Sequence, residues 1–313
     1  WDGNVWRQVD NTTRSGRGVF GGGAPSVSAI SYVNISSTGN AINFGSLATL
    51  NSSPAGCSSS TRGLFAGRGN APNIINTIEY ITIASEGNSI DFGDLLTARR
   101  LSAGCSSSTR GIFAGGGGNP ISVYLNSIEY VSISTIGNAL DFGDLTIQRR
   151  TQNGAVSSST RGVFLGGFFG PLYLSVVDFI KISSTGNAID FGDSLFSGGY
   201  RAGCSNSIRG VFSGGYKNPS GGFNSMEYIT IATTGNSVYF GDLSFKVYGT
   251  AGCSNSTRAV FSGGLLPAGE TPINTIEYVT INTTGNAQDF GDLTISSGLL
   301  SACSDSHGGL GGF

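Results

Sequence analysis

Histidine, methionine and charge are the commodities this sequence has least of. Its 313 residues include one histidine, His307, and one methionine, Met226, and 12% are charged, where a quarter is usual. So little histidine argues against a histidine-based triad and excludes a multi-histidine metal site, so neither a metal nor a cofactor is expected. The net charge of −2 gives no basis for binding a phosphate backbone, which needs a concentrated basic surface. No apolar run approaches the roughly 20 residues that span a bilayer, and no charged-then-apolar leader opens the chain, so no membrane insertion is expected. What is abundant is glycine, 51 residues, together with 19 phenylalanines in a 38% hydrophobic composition. That is enough apolar surface for a packed, glycine-rich, all-β core.

Internal repetition decides the architecture. The phrase Arg-Gly-hydrophobic-Phe recurs at Arg17, Arg62, Arg110, Arg161, Arg209 and Arg258, the last with Ala259 in place of glycine. A Phe-Gly pair recurs at Phe44, Phe92, Phe142, Phe191, Phe240 and Phe290, each shortly after a Gly-Asn turn such as Gly87-Asn88. Six units are complete, and each reads as four short strands. In the second unit these are Gly63 to Gly67, Ile78 to Ile83, Ser89 to Leu95 and Ala103 to Ser107, separated by turns in which glycine supplies the positive φ of a hairpin. Four strands in a period of about 40 to 50 residues mark a β-propeller. The expected fold is therefore an all-β, six-bladed β-propeller of four-stranded antiparallel blades over residues 17–313. Because the chain joins blade one at its second strand, Leu300 to Ser304 should supply that blade's innermost strand and close the ring. Residues 307–313 copy the start of another second strand and leave a partial seventh blade open. Residues 1–16 read as a linker or attachment segment, and an opening at Trp1 suggests part of a longer polypeptide.

Cys57, Cys105, Cys204, Cys253 and Cys303 share one repeat position, which Val156 fills in the remaining unit. Valine there points to burial, and a sheet-packing distance of about 10 Å between blades is too wide for disulfides, so free buried thiols are expected. The phrase Asp-Phe-Gly-Asp at Asp91, Asp141, Asp190 and Asp289 offers paired carboxylates, but a catalytic acid pair needs one asymmetric site, and these recur around a ring. Pairing with the equally regular arginines is the expectation.

Recognition is sought where the repeat varies. Strand alternation brings the connection from second to third strand and the connection from fourth strand to the next blade onto one side of the disc. The first set carries Tyr124, Phe168, Phe169, Tyr173, Tyr216, Lys217 and Phe223; the second carries Arg99, Arg100, Arg149, Arg150, Tyr200 and Arg201, along with Lys246 and Tyr248. The first thirteen of these form the candidate ligand-binding face, because loops on a rigid scaffold carry recognition and aromatic and arginine side chains are its usual anchors.

The hairpin before a diglycine, Gly210-Val211-Phe212-Ser213-Gly214-Gly215, followed by Met226-Glu227-Tyr228, resembles a kelch repeat over about residues 17 to 306. Where kelch repeats place a tryptophan after the tyrosine, Phe240 follows Tyr228 here at a spacing of twelve. The phrases Asn274-Thr275-Ile276-Glu277-Tyr278, Thr284-Gly285-Asn286-Ala287-Gln288-Asp289-Phe290-Gly291-Asp292 and Ser306-His307-Gly308-Gly309-Leu310 resemble repeat proteins of marine tailed bacteriophages. Trp1-Asp2-Gly3-Asn4-Val5-Trp6 is similar to a short module of phage tail and fibre proteins. The resemblance implies a non-enzymatic virion component on the tail or capsid surface, with other virion proteins as partners. The aromatic and arginine composition of the variable loops makes a host-surface glycan or protein the expected ligand, and the resemblance implies homo-oligomerisation through a region upstream. Two alternatives stand beside this: an architectural decoration protein contacting only virion partners, and an acid-pair glycan-cleaving enzyme.

Overall fold

Six four-stranded antiparallel sheets follow one another around a central axis in the computed structural model, which describes residues 16–49, 52–69, 72–120 and 122–311. In the second blade the inner strand Ala55–Ser58 pairs with Arg62–Arg68, which pairs with Ile75–Thr82, which pairs with the outer strand Ile90–Asp94. The other blades repeat this order, and the expected six-bladed β-propeller is the observed fold. Ser301–Ser304 lies antiparallel to Arg17–Gly21, with Cys303 opposite Val19, so the C-terminal strand completes blade one and closes the ring. The proposed linker at 1–16 lies, apart from Gly16, outside the described residues.

Each inner strand has one edge paired within its blade and the other facing the axis, where unpaired backbone groups would be costly. Six serines meet that need. The Ser106 hydroxyl donates to the Ser58 carbonyl at 2.7 Å and accepts from the Ser58 amide at 3.1 Å. Ser157 donates in the same way to Ser106, Ser205 to Ser157, Ser254 to Ser205, Ser304 to Ser254, and Ser58 back to Ser304, all at 2.7–2.9 Å. The circuit therefore closes across the junction of the two chain ends.

The repeated phrases are the contacts between blades. At Gly63 a Cβ would stand 2.5 Å from the Cys303 sulfur of the preceding blade, and at Gly111 one would stand 2.8 Å from Cys57. The Arg-Gly glycine thus makes room for the neighbouring thiol. Ala259 is tolerated because Cys204 turns aside, its thiol donating to the carbonyls of Cys253 and Val260. All five cysteines are free and buried, as expected, and burial holds the thiols protonated, Cys105 with a pKa near 12.

The regular arginines do not pair with the Asp-Phe-Gly-Asp carboxylates, contrary to expectation. Arg62 lies over the Tyr80 ring of its own blade at 5.0 Å and donates to the carbonyl of Ile133 in the next; Arg17, Arg110, Arg161, Arg209 and Arg258 repeat the arrangement, with Phe179 replacing tyrosine in blade four. A carbonyl and a ring face hold the cation there without a carboxylate. The Asp-Phe-Gly-Asp phrase works through its backbone instead. The Asp94 amide donates to the Asn138 side chain, the Gly137 amide donates to the Phe92 carbonyl, and a Cβ on Gly93 would stand 2.6 Å from the Gly137 backbone. Phe-Gly-Asp of one blade and Gly-Asn of the next therefore form one clasp, repeated around the rim.

Adding a methyl group at Gly63 should test the thiol seat. Gly63→Ala is expected to destabilise the chain by about 1–3 kcal/mol, as overpacking does. Cys303→Ala in the same chain should recover most of that loss, read as the coupling in a urea-denaturation double-mutant cycle.

Candidate functional site

Two places on the axis could hold a ligand: the channel between the inner strands and the face bearing the variable connections. The channel is small. Glycine, cysteine and serine of the inner strands, with Val156 and His307, line a cavity of about 60 Å³, room for a few waters and far below the several hundred cubic ångströms of a small-molecule site.

Residues 307–311 stop one end of it. No strand forms there, so the partial seventh blade left open by the sequence is not what this segment builds. Gly308–Leu310 is a single 3-10 turn capped by His307. The His307 Nε2 lies 2.9 Å from the Ser58 carbonyl, so it carries the proton, and Nδ1 accepts from the Gly309 amide at 3.1 Å. Both nitrogens are thereby committed to one neutral tautomer. Burial pulls the imidazole below its ordinary value of 6.5, and the bond to the Ser58 carbonyl opposes this. From opposite the first blade, the side chain of Asn153 reaches over the axis and donates to the Leu300 carbonyl at 2.7 Å.

The variable face is built differently. In blades four, five and six the connection from second to third strand folds into a small ribbon: Phe168–Phe169 with Leu172–Tyr173, Gly215–Lys217 with Gly221–Phe223, and Leu265–Leu266 with Thr271–Pro272. Each ribbon also bridges the connection arriving from the preceding blade, pairing Arg150 with Phe168, Gly199 with Tyr216 and Tyr248 with Leu265. The same bridge joins Arg100 to Gly117 in blade three. Arg100, Arg150, Gly199 and Tyr248 therefore occupy one position of the repeat.

These bridges gather the aromatics into a closed circuit. Tyr200 stacks on Phe168 at 5.0 Å, Tyr248 meets Tyr200 edge-on at 5.6 Å, Tyr216 lies 5.1 Å from Tyr248, and Tyr173 joins Tyr216 at 6.1 Å and Phe168 at 5.8 Å. Tyr124 extends the cluster into blade three, 5.0 Å from Phe169, with the Arg150 guanidinium 4.7 Å from the Tyr124 centroid. The Arg150 side chain packs over Gly117, whose backbone bridges Arg100, and burial is the main cause that lowers the Arg100 guanidinium. Phe168, Tyr248 and Arg150 are buried at the base, while Tyr124, Phe169, Tyr173, Tyr200, Tyr216 and Arg100 are partly exposed. Burial raises the Tyr200 hydroxyl to about 12.

The candidate set thus divides. Eight of its residues, Arg100, Tyr124, Arg150, Phe168, Phe169, Tyr173, Tyr200 and Tyr216, come together. Tyr248, outside the set, completes the circuit, and its place in the repeat alongside Arg100 and Arg150 was the signal that could have found it. Lys217 is exposed nearby, and its ammonium donates to Ser197 at 2.6 Å. Phe223 packs separately against Phe196, under the Arg201 guanidinium.

Arg99, Arg149 and Arg201 do not face solvent, correcting their assignment as contact anchors. All three are buried in ion pairs, with Glu129, Asp178 and Glu227, and Arg68 pairs likewise with Glu79. Arg149 lies 2.8 Å from Asp178 and also donates to the carbonyls of Gly166 and Ile147. Burial pulls these guanidiniums down and the carboxylate partners oppose it. The carboxylates also tie adjacent blades, Asp178 accepting from the Thr146 amide and hydroxyl.

No protein-family model matches the chain, and no curated protein sequence matches it.

Two measurements follow from this geometry. A histidine whose folded pKa is depressed contributes stability above its unfolded value, and that contribution is lost as pH falls. The melting temperature should therefore drop as pH is lowered from about 6.5, the ordinary histidine value. His307→Gln should be less stable at pH 7.5 and show a flatter profile through that window. Arg149→Ala, which strands a buried Asp178, should cost about 3–5 kcal/mol in urea denaturation. Lys217→Ala should stay within about 0.5 kcal/mol of wild type.

Proposed function

We propose that this propeller is a non-enzymatic recognition module of a tailed-phage particle, presented on the tail or capsid surface and binding a host-surface glycan or protein through its variable face. The observation that carries the reading is the aromatic circuit. It breaks the sixfold regularity, and it concentrates partly exposed tyrosines on one side of a rigid ring whose channel is too small for a sugar. Tyrosine supplies large contact area with few rotatable bonds and a polar tip, which suits stacking on a sugar ring while its hydroxyl groups bond. The phage assignment rests on the resemblance of the repeat phrases.

An architectural role has one observation in its favour. The outer strands begin with Ile42, Ile90, Leu140, Ile189 and Val238, each more than half exposed, an apolar belt around the rim in five of six blades. Such a belt suits packing against particle neighbours.

Binding of the purified chain to intact candidate host cells separates the two readings. Wild type is expected to bind saturably, and a variant carrying Phe169→Ala and Tyr173→Ala, with an unchanged melting temperature, is expected to lose at least about tenfold in affinity, a loss of hot-spot size. Equal binding by both would remove the variable face from the interaction, and binding by neither would favour the architectural role.

A further inference from the structure

We infer that blade six holds a site for a guanidinium group supplied from outside the chain, with Glu277 as its anion; this goes beyond the recognition reading and does not depend on it. Five blades carry a carboxylate opposite the same phenylalanine of the second strand: Glu79 opposite Phe65, Glu129 opposite Phe113, Asp178 opposite Phe164, Glu227 opposite Phe212 and Glu277 opposite Phe261. The first four are ion-paired, and the arginine arrives from three different places. Arg68 ends the second strand, Arg99 and Arg149 lie in the incoming connection, and Arg201 stands just before the inner strand. Blade one lacks both partners, with Ser31 opposite Phe20 and Ser297 where Arg99 and Arg149 stand. Blade six keeps the acid alone. Val247 takes the arginine's place, one residue before Tyr248, and Lys246 beside it is exposed. Among the described residues no basic side chain pairs with Glu277.

The carboxylate is not the whole acceptor set. The carbonyls of Thr97, Ile147 and Phe196 accept from Arg99, Arg149 and Arg201, and those of Gly115 and Gly166 accept from Arg99 and Arg149. Phe245 and Gly263 hold the corresponding positions in blade six, and among the described residues no donor reaches either carbonyl. Val247 starts along the arginine's path: its Cγ2 would stand 2.5 Å from a Cβ on Gly264, as the Arg149 Cδ would stand 3.4 Å from one on Gly167. Being a valine, it ends there. Glu277 accepts from the Ser244 amide at 3.0 Å, and Ala287 stands where Ser89 and Ser237 give hydroxyls to Glu79 and Glu227. A single amide does not offset the burial of a carboxylate, whereas a hydrogen-bonded cation does. Glu277 is 6% exposed, against at most 2% for its four counterparts, so it is the one solvent touches most. The same acceptor positions converge on one guanidinium in the sister blades, whose planar fork carries five donors. Calcium asks for about six to eight oxygens, more than one carboxylate and two carbonyls give. Because Val247 precedes Tyr248 of the aromatic circuit, the site lies at the variable-face end of the gap between blades five and six.

The test is titration of the purified full chain with millimolar ethylguanidinium, read as melting temperature and by calorimetry, against ethylammonium, potassium and calcium at matched ionic strength. Ethylguanidinium is expected to raise the melting temperature saturably, since a ligand of the folded state stabilises it. Ethylammonium should bind at least about tenfold more weakly, a margin of the size one hydrogen bond to a charged group supplies. Glu277→Gln, which keeps the shape and removes the charge, should abolish the response. Val247→Arg should abolish it too, and should melt higher than wild type because the chain then supplies its own fork. A capped pentapeptide with one central arginine separates the two sources of the group. Binding as tight as that of ethylguanidinium would assign the site to a partner's arginine side chain, and exclusion of the peptide alone would assign it to a small guanidinium compound. No saturable response in wild type, or the same response in folded Glu277→Gln, would overturn the inference. An equal response to ethylammonium, potassium or calcium would overturn the guanidinium assignment and leave an unselective cation site. None of these outcomes bears on binding to host cells, so this inference and the recognition reading fail separately.

Discussion

Six inner strands meeting around one axis impose the constraint on which this molecule depends. Each must present a backbone edge toward a space too narrow for bulk water, and each must lie close enough to its neighbours to leave that space small. The serine circuit answers both demands, because each hydroxyl serves the carbonyl of the serine in the preceding blade, and four of the six serve its amide too, and so acts as a substitute strand partner. The arrangement works only as a closed cycle. That explains why the last strand of the chain carries Ser304 and docks beside the first strand, and why His307 follows at once to bond the Ser58 carbonyl, which Ser106 also uses. Thiol seats, arginine staples and Phe-Gly-Asp clasps then repeat outward from this ring, each joining a blade to its neighbour.

So regular a frame restricts where specificity can reside. The channel is narrowed by backbone and small side chains to a cavity of about 60 Å³, and the turns opposite the variable face are consumed in holding blades together, since the Asn side chain of each Gly-Asn turn is already bonded to the preceding blade. The variable connections also join blades, through Thr146 and its counterparts, but their ribbons differ from blade to blade. Their ribbons are nonetheless not loose: each is bridged to the incoming connection, and ring contacts run without a gap from blade three to blade six. A surface of this kind loses little freedom when it binds, which is how a modest contact area yields useful affinity.

Much of this was legible in the sequence. Blade number, strand order, ring closure and free thiols all follow from the period and from the residue types at fixed positions, because those features are set by local patterning and repeated six times. The fate of single side chains was harder to read. Arg99-Arg100 and Arg149-Arg150 look alike as sequence, yet in extended backbone adjacent residues point to opposite sides. The first of each pair turns inward to Glu129 or Asp178, and the second reaches the surface cluster. The carboxylates that decide this stand about thirty residues away on the third strand, and no local signal links them to the arginines. The Asp-Phe-Gly-Asp phrase misled for the opposite reason: its chemistry suggested side-chain pairing, while its structural use lies in an amide, a carbonyl and the missing Cβ of Gly93.

The paired arginines also bear on how the variable connections are held in place. Holding a guanidinium over an aromatic ring requires a backbone that does not yield. Here the inward arginine of each pair supplies that rigidity, since its ion pair and carbonyl bonds fix the backbone from which the outward arginine projects. The ion-paired residue positions its neighbour, and loss of Arg149 would disturb the aromatic cluster from beneath. Neighbouring residues of the same type are therefore divided in use, one ion-paired inside the blade and the other packed against the aromatic circuit.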